Sequence, residues 1–245
     1  MVDPYLIQPI GEADLFQVAT IHRAAFTDSA LTKLGQMAVY RYYEWQLTGP
    51  HELTALGAYI DRQMIGFCFG GVFQGALSGF LEKNKRFLIG RVLAQPWLLL
   101  NPIFRDRVQS GIRRLVKSVK PAPHLMPHLI QPRSSTCFGI LSIALDPSYQ
   151  GLGVGKLLMT RAEEAAQRMN YSEMLLTVQP QNKKAVAFYE RLQWQKIPRN
   201  GEWGGEMRKA LTLRVHLEES LAVTTIPQYP VKQTHRSSYI SGRRH

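Results

Sequence analysis

The sequence predicts an α/β fold of the α+β three-layer kind: one domain with helices flanking a central sheet. Three observations carry this expectation. Apolar residues recur along the chain at helical spacing in some stretches and at strand spacing in others. A strongly apolar strand pattern at 137–146 passes through a short glycine loop into a long amphipathic pattern at 152–169. The chain has 245 residues, 45% of them hydrophobic, which is ample for a core and excludes wholesale disorder.

Taken in order, residues 12–26 place Leu15, Val18, Ile21, Ala25 and Phe26 on one helical face. Gly11 precedes this helix, and Glu12 and Asp14 lie in its first turn, where the helix dipole favours acids. A second helical pattern runs through about 30–47. Residues 53–60 and 64–73 read as two strands joined by a turn at Asp61 and Arg62. After the long helix at 152–169 come a strand at 173–179, a helix at 182–192, and short strands at 194–197 and 206–211. From about 213 the chain turns polar and aperiodic, which predicts a flexible tail over 213–245 behind a main domain at 1–212.

The segment 80–133 differs from its surroundings and reads as an insertion. Its run Phe87–Phe104 is rich in Leu, Phe and Trp, but the longest charge-free part, Val92–Phe104, is 13 residues with two prolines. A membrane span needs roughly 20 apolar residues, so this is not one. A basic helical pattern follows at about 104–119, and then a proline-punctuated loop. Charge singles out the same segment. The chain carries 30 Lys+Arg against 18 Asp+Glu, a formal +12. Residues 80–133 hold eleven bases and two acids, while 1–79 are at −3 and 134–210 at +3. The excess marks the insertion and the tail and leaves the rest of the domain neutral.

Two cysteines, Cys68 and Cys137, build neither a disulfide framework nor a thiolate metal site and suit a reduced compartment. The N-terminus lacks a basic start followed by an apolar run, so the expected location is the cytoplasm. His124 and His128 lie four apart with Pro127 between them, which weakens a metal pair; no metal is expected.

The chemistry is concentrated in Gln150-Gly151-Leu152-Gly153-Val154-Gly155-Lys156, between a buried strand and a helix. Glycines at alternate positions let the backbone approach a bulky group and expose successive N–H donors. The helix that follows favours negative charge at its start. The loop therefore suits phosphate. It is neither of two common phosphate loops. A nucleotide P-loop has four residues between its glycine and its Gly-Lys, whereas three separate Gly151 from Gly155 and Leu157 follows the lysine. The dinucleotide fingerprint G-x-G-x-x-G also differs from the G-x-G-x-G present here.

The strand–Asp-Pro-x-x-Gln-Gly-x-Gly-x-Gly–helix pattern resembles the acetyl-CoA-binding motif of the GCN5-related N-acetyltransferases (GNAT). A second segment 27 residues beyond Gly155, Asn182-Lys-Lys-Ala185-Val-Ala-Phe188-Tyr189-Glu-Arg-Leu192, resembles the family's other signature. Motif-level similarity covers roughly 139–197. One departure is Gln193, where the family often has a glycine; Trp194 keeps the aromatic that follows it.

The resemblance implies a mixed, mostly antiparallel sheet that splays where strand 141–145 leaves strand 173–179. It implies acetyl-CoA as cosubstrate, with backbone groups of Ile143, Ala144 and Leu145 along the pantetheine arm. Gln150 and the amides of Gly151, Leu152, Gly153, Val154, Gly155 and Lys156 would hold the pyrophosphate. Asn182 would lie near the pantetheine, and Tyr189 would protonate the departing thiolate. Read without the motif, Tyr189 is a packing aromatic, Asn182 a helix N-cap and Lys156 a solvated lysine.

No general base is apparent, because strand 140–145 carries no acid. Asp28, Glu44, His22 and His51 fall in the region where the family builds its acceptor site, and each reads as a surface or structural residue. The expected acceptor is a small-molecule primary amine, an anionic amino sugar being favoured by the basic insertion. The alternatives are a protein N-terminus or lysine, and a non-catalytic acetyl-CoA-binding module. Peripheral membrane contact through 87–120 is a second use for the insertion. Nucleic acid is disfavoured because the bases accompany no binding fold. The sequence leaves the oligomeric state open.

Overall fold

The computed structural model describes residues 4–96, 137–199 and 201–212. Among them are seven strands: β1 (Leu6–Pro9), β2 (Glu52–Ile60), β3 (Gln63–Val72), β4 (Cys137–Leu145), β5 (Glu173–Thr177), β6 (Gln195–Lys196) and β7 (Glu206–Ala210). They form one sheet in the order β1-β2-β3-β4-β5-β7-β6. All neighbours are antiparallel except β4 and β5, which run parallel. This is the mixed, mostly antiparallel sheet expected above. The described helices are α1 (Leu15–Ala25), α2 (Ala30–Lys33), α3 (Gln36–Thr48), α4 (Ser78–Lys83), α5 (Lys85–Ala94), α6 (Val154–Arg168) and α7 (Lys183–Arg191).

Helices cover both faces of the sheet, and each face has its own core. One contains Leu15, Val18 and Ile21 of α1 with Val39 and Tyr43 of α3. The other contains Val154, Leu158 and Met159 of α6 with Val186 and Tyr189 of α7. Strand β3 serves both: Phe67 and Phe69 point to the first core and Cys68 between them to the second, by the period-2 alternation of a strand. Ile65 reaches the second core at a β-bulge, where Gly66 pairs with Ala58 and Met64 with Tyr59. Phe67, Phe69 and Tyr43 are fully buried. Each such side chain contributes roughly 1.5–3 kcal/mol through apolar area removed from water.

The helix expected over 30–47 is two helices. Gly35 sits at φ 96°, a left-handed conformation that an α-helix does not accept, and it starts α3 as the N-cap. Ser29 caps α2 by accepting from the Thr32 amide at 3.0 Å. The hairpin turn stands where expected: Asp61 and Arg62 take φ 46° and 67°, joining β2 to β3 in two residues.

Strand β1 and helices α4 and α5 were not anticipated. Strand β1 is short and mostly exposed, so its pattern carries little hydrophobic signal. Helices α4 and α5 open the insertion and dock on α2 and α3. Phe80 is buried 5.3 Å from the Tyr42 ring. The Arg41 guanidinium stands 4.4 Å over Phe87. Arg91 Nε donates to the Leu34 carbonyl at 3.1 Å. The basic pattern at 104–119, the proline loop with His124 and His128, and the tail from 213 lie outside the described residues.

Candidate active site

The parallel pairing of β4 with β5 begins at Cys137↔Glu173 and ends at Ile140↔Leu176. Strand β4 continues to Leu145, still paired with β3 on its other side. The sheet therefore opens a gap beside Leu141–Leu145. On that side the peptide groups of Ile143, Ala144 and Leu145 have no strand partner among the described residues. A β-bulge marks the opening, since Gly70 pairs with Ile140 and Phe69 with Ser142, leaving Leu141 extra. In consequence Leu141 and Ser142 share the α1–α3 face, while Ile143 and Leu145 turn to the α6–α7 face.

At the C-terminal end of β4 the chain enters the glycine loop. Asp146 accepts from the Ser148 amide at 2.9 Å and closes a turn over Pro147–Tyr149. Gln150 ends that turn on the surface. Gly151 and Gly153 take φ 84° and 85°, and a Cβ built on either would meet nothing within 4 Å. Their glycine identity therefore answers to backbone conformation and to open space above the loop, not to crowding by the protein. Gly153 is the N-cap of α6 and supplies no side-chain acceptor. The amides of Val154, Gly155 and Lys156 are thus first-turn donors without a helical partner. Leu152 is 55% exposed and Lys156 is exposed beside it. Gly155 differs in kind, because a Cβ there would press on Phe188 at 3.4 Å and Leu145 at 3.5 Å. The set suits a pyrophosphate: clustered N–H donors, a helix N-terminus and an adjacent cation.

Helix α7 brings the second motif to the same gap. Asn182 Oδ1 accepts from the Ala185 amide at 3.1 Å, so this residue is the N-cap that the sequence allowed. Tyr189 is 8% exposed and belongs to the α6–α7 core, with its ring 5.2 Å from Phe188 and 6.1 Å from Trp194. Burial raises its pKa, and the Cys68 thiol adds to the shift. The hydroxyl therefore stays protonated at neutral pH. Cys68 is itself buried, with a pKa raised to about 12, and is the register partner of Ile143. Tyr189, Cys68, Ile143 and Leu145 thus share the α6–α7 core. The departure at Gln193 leaves the turn intact, because Gln193 adopts the left-handed conformation itself, at φ 67°.

Across the sheet, on the α1–α3 face, a buried polar chain reaches the gap. Tyr43 Oη lies 2.9 Å from Ser142 Oγ and 2.9 Å from His22 Nδ1. His22 Nε2 lies 3.3 Å from Ser29 Oγ. Burial lowers the His22 pKa to about 4, which keeps the ring neutral at pH 7. The sequence placed His22 near the acceptor region but linked it to nothing. Tyr43 lies within the helical pattern over 30–47 and Ser142 is the one hydroxyl of an apolar strand, and neither carries a local sign of the other. The other acceptor-region residues stand apart. Asp28 pairs with Lys33 at 3.7 Å and is highly exposed. His51 accepts from the Gln74 amide at 3.1 Å and packs on Trp45 and Phe73. Glu44 lies half-buried on α3.

A mixed sheet parted at one strand, with a glycine loop and a helix N-terminus at the end of the gap, defines an acyltransferase that uses acetyl-CoA. The model of the acetyltransferase (GNAT) family matches residues 16–194, and this chain belongs to that family. No curated protein matches the sequence. Among solved structures, the chain is similar to PaiA N-acetyltransferase from Thermoplasma acidophilum in complex with coenzyme A. That likeness has 14% identity and a TM-score of 0.50, covering 84% of this chain and 98% of the other. It is also similar to a GNAT superfamily phosphinothricin acetyltransferase from Sinorhizobium meliloti in complex with AcCoA. There the identity is 13% and the TM-score 0.50, covering 85% of this chain and 89% of the other. Ard1 from Thermoplasma volcanium is similar at 12% identity and a TM-score of 0.50, covering 86% of this chain and 99% of the other. These likenesses concern the fold. Among the described residues no helix is long and apolar enough to cross a membrane.

Proposed function

We propose that this protein transfers the acetyl group of acetyl-CoA to a primary amine by direct attack within a ternary complex. The observation that carries the reading is the gap beside β4, where the peptide edge of Ile143–Leu145 has no strand partner among the described residues and the glycine loop opens α6 at its end. In this reading Ile143, Ala144 and Leu145 pair with the pantetheine arm and polarise the thioester carbonyl. Gln150 and the amides of Gly151, Leu152, Gly153, Val154, Gly155 and Lys156 hold the pyrophosphate, with the Lys156 ammonium adding charge. Asn182 caps α7 and borders the pantetheine. The neutral amine nitrogen attacks the acetyl carbon, the C–S bond breaks, and Tyr189 donates its proton to the leaving thiolate. The proton shed by the attacking nitrogen passes to water, from which Tyr189 is reprotonated.

The acceptor favoured here is an anionic amino sugar or another small amine carrying negative charge. Support comes from the start of the basic insertion, where α4 and α5 bring Lys83, Lys85, Arg86 and Arg91 onto the α2–α3 side. Residues 1–212 form the catalytic domain in this reading, with 80–133 as its insertion and 213–245 as a tail. A sequence with only two cysteines, Cys68 and Cys137, suits work in the cytoplasm.

Thiol release from acetyl-CoA tests the reading when measured with D-glucosamine 6-phosphate, D-glucosamine, spermidine and a short peptide bearing a free N-terminus. Products are read by mass spectrometry. Thiol release together with an acetylated amine is the expected result. Acetyl-CoA binding without release for any amine replaces this reading with a non-catalytic binding role.

One observation favours a second use of the insertion. Helix α5 exposes Ile89 at 50% and Leu93 at 75% beside exposed Lys85 and Arg86. Apolar and basic groups together suit the surface of an anionic membrane, with contact through 87–120. Cosedimentation with phosphatidylserine vesicles at low salt tests this, and a protein that stays in the supernatant removes it.

A further inference from the structure

The direction of each hydrogen bond in the buried chain on the α1–α3 face follows from its far end. The Thr32 amide donates to Ser29 Oγ at 3.0 Å, and the Ser29 hydroxyl donates to Thr32 Oγ1 at 2.9 Å. With its only proton committed there, Ser29 acts as an acceptor toward His22 Nε2 at 3.3 Å. His22 therefore carries its proton on Nε2, and a neutral imidazole with that tautomer has a bare Nδ1. The Tyr43 hydroxyl, 2.9 Å from Nδ1, donates to it. Tyr43 then has no proton left for Ser142, so the Ser142 hydroxyl donates to Tyr43 across 2.9 Å. Every proton in the chain points inward, and Ser142 Oγ keeps its lone pairs facing away from Tyr43.

Ser142 is half-buried and stands at the mouth of the gap, one residue before Ile143 and past the last β4–β5 pair. The bulge at Leu141 turns it to the face opposite Tyr189. We propose that Ser142 accepts a hydrogen bond from the amine of the acetyl acceptor, and that Tyr43 and His22 are positioning residues that hold the Ser142 hydroxyl in its accepting orientation. This rests on the acetyl-transfer reading above and deepens it. An N–H directed at Ser142 turns the nitrogen lone pair toward the thioester beside Ile143. The amine then arrives on the α1–α3 face while the thiolate leaves toward Tyr189 on the other. No proton crosses the chain in this account. The chain fixes an orientation.

Two measurements test the proposal in the full-length protein. Long-range 15N–1H correlation spectra, with His22→Gln for assignment, report the tautomer of His22. The Nε2–H form is expected; an Nδ1–H form reverses the chain and overturns the proposal. Steady-state kinetics with D-glucosamine 6-phosphate, or the fastest amine of the panel above, form the second arm. Ser142→Ala is expected to raise KM for the amine about tenfold, the usual scale of one lost hydrogen bond, with KM for acetyl-CoA unchanged. Ser142→Thr keeps the hydroxyl and restores the wild-type KM. Tyr43→Phe raises the amine KM severalfold, and adds nothing in the Ser142→Ala background because both act on one interaction. A Tyr43→Phe variant that lowers the melting temperature and leaves both KM values unchanged makes the chain a packing device and overturns the proposal. An active wild type whose amine KM is indifferent to Ser142→Ala removes this inference alone. A wild type that acetylates no amine removes the acetyl-transfer reading, and this inference with it.

Discussion

The Trp194 amide donates to the Tyr189 carbonyl at 3.0 Å, across a turn in which Gln193 holds a left-handed backbone at φ 67°. The Gln193 amide donates to the Glu190 carbonyl at 2.9 Å, which completes a Schellman ending for α7. That ending fixes the last turn of the helix carrying Tyr189, and it does so with a residue that disfavours the required conformation. Gln193→Gly is expected to raise unfolding free energy by about 0.5–1 kcal/mol, the relief of strain less the extra freedom of the unfolded chain. Gln193→Val, β-branched, is expected to lower it by more than that. Urea unfolding curves of the three proteins check both signs.

Tyr189→Phe removes the hydroxyl and keeps the ring packed against Phe188 and Trp194. Turnover is expected to fall by about 100-fold or more, the scale of one general-acid contribution, with the affinity for acetyl-CoA within twofold of wild type. Because burial raises the Tyr189 pKa, its deprotonation places no alkaline limb on kcat below about pH 10. Equal turnover in both proteins returns Tyr189 to a packing role.

Gly153→Ala separates conformational strain from ligand approach. No protein atom lies within 4 Å of the added Cβ, so the stability loss is that of the positive φ, about 1 kcal/mol. The methyl group stands where the proposed pyrophosphate comes close, so the Kd for coenzyme A is expected to rise at least tenfold. Calorimetric titration beside a thermal melt measures the two effects on one sample. A Kd unchanged by this substitution moves the phosphate away from the loop.

The pH dependence of stability carries the signature of His22. The folded protein holds its imidazole neutral down to about pH 4, whereas the unfolded chain protonates it near 6.5. Below 6.5 the unfolded state binds more protons, so stability falls as pH drops and levels off under about pH 4. The loss across that window approaches about 3 kcal/mol. In His22→Gln the wild-type fall between pH 6.5 and 4 is expected to flatten by that amount, as read from denaturant curves at several pH values.

The charge of α5 makes a prediction about the acceptor. Lys85→Glu with Arg86→Glu reverses two exposed cations of α5, which the proposed function sets toward the acceptor. KM for D-glucosamine 6-phosphate is expected to rise several-fold at low salt and to converge on wild type as salt screens the field, while KM for D-glucosamine stays unchanged. An equal shift for both sugars places the charge outside the acceptor's path.

The local structure of the glycine loop, of β4 and of the start of α7 was legible because its residues are local in sequence. Gly151 and Gly153 announce positive φ, Asn182 announces a helix N-cap, and the apolar run at 137–145 announces a buried strand. The α1–α3 side was not legible because its chemistry is long-range. Ser142 and Tyr43 are 99 residues apart, and Tyr43 and His22 are 21 apart. No periodic pattern links such residues, and a tyrosine hydroxyl on an apolar helix face gives no local sign of its partner. The break at Gly35 was missed for a related reason: apolar spacing survives a single glycine, although the helix does not. Helices α4 and α5 were hidden because their contacts are made by arginines over Phe87 and a carbonyl, which do not read as a buried stripe.

The extra residue at Leu141 has a geometric consequence for β4. Before it, Phe138 and Ile140 face α6; after it, Ile143 and Leu145 do, so odd and even positions exchange roles midway. A strand with such a phase change has one alignment with its neighbour. Sliding β4 by two residues keeps the in–out pattern of an ordinary strand, but here it would push Ser142 or Leu141 into the wrong core. The bulge is a registration pin. It makes the gap between β4 and β5 an aperture of set width and position, which fraying at a strand end does not provide.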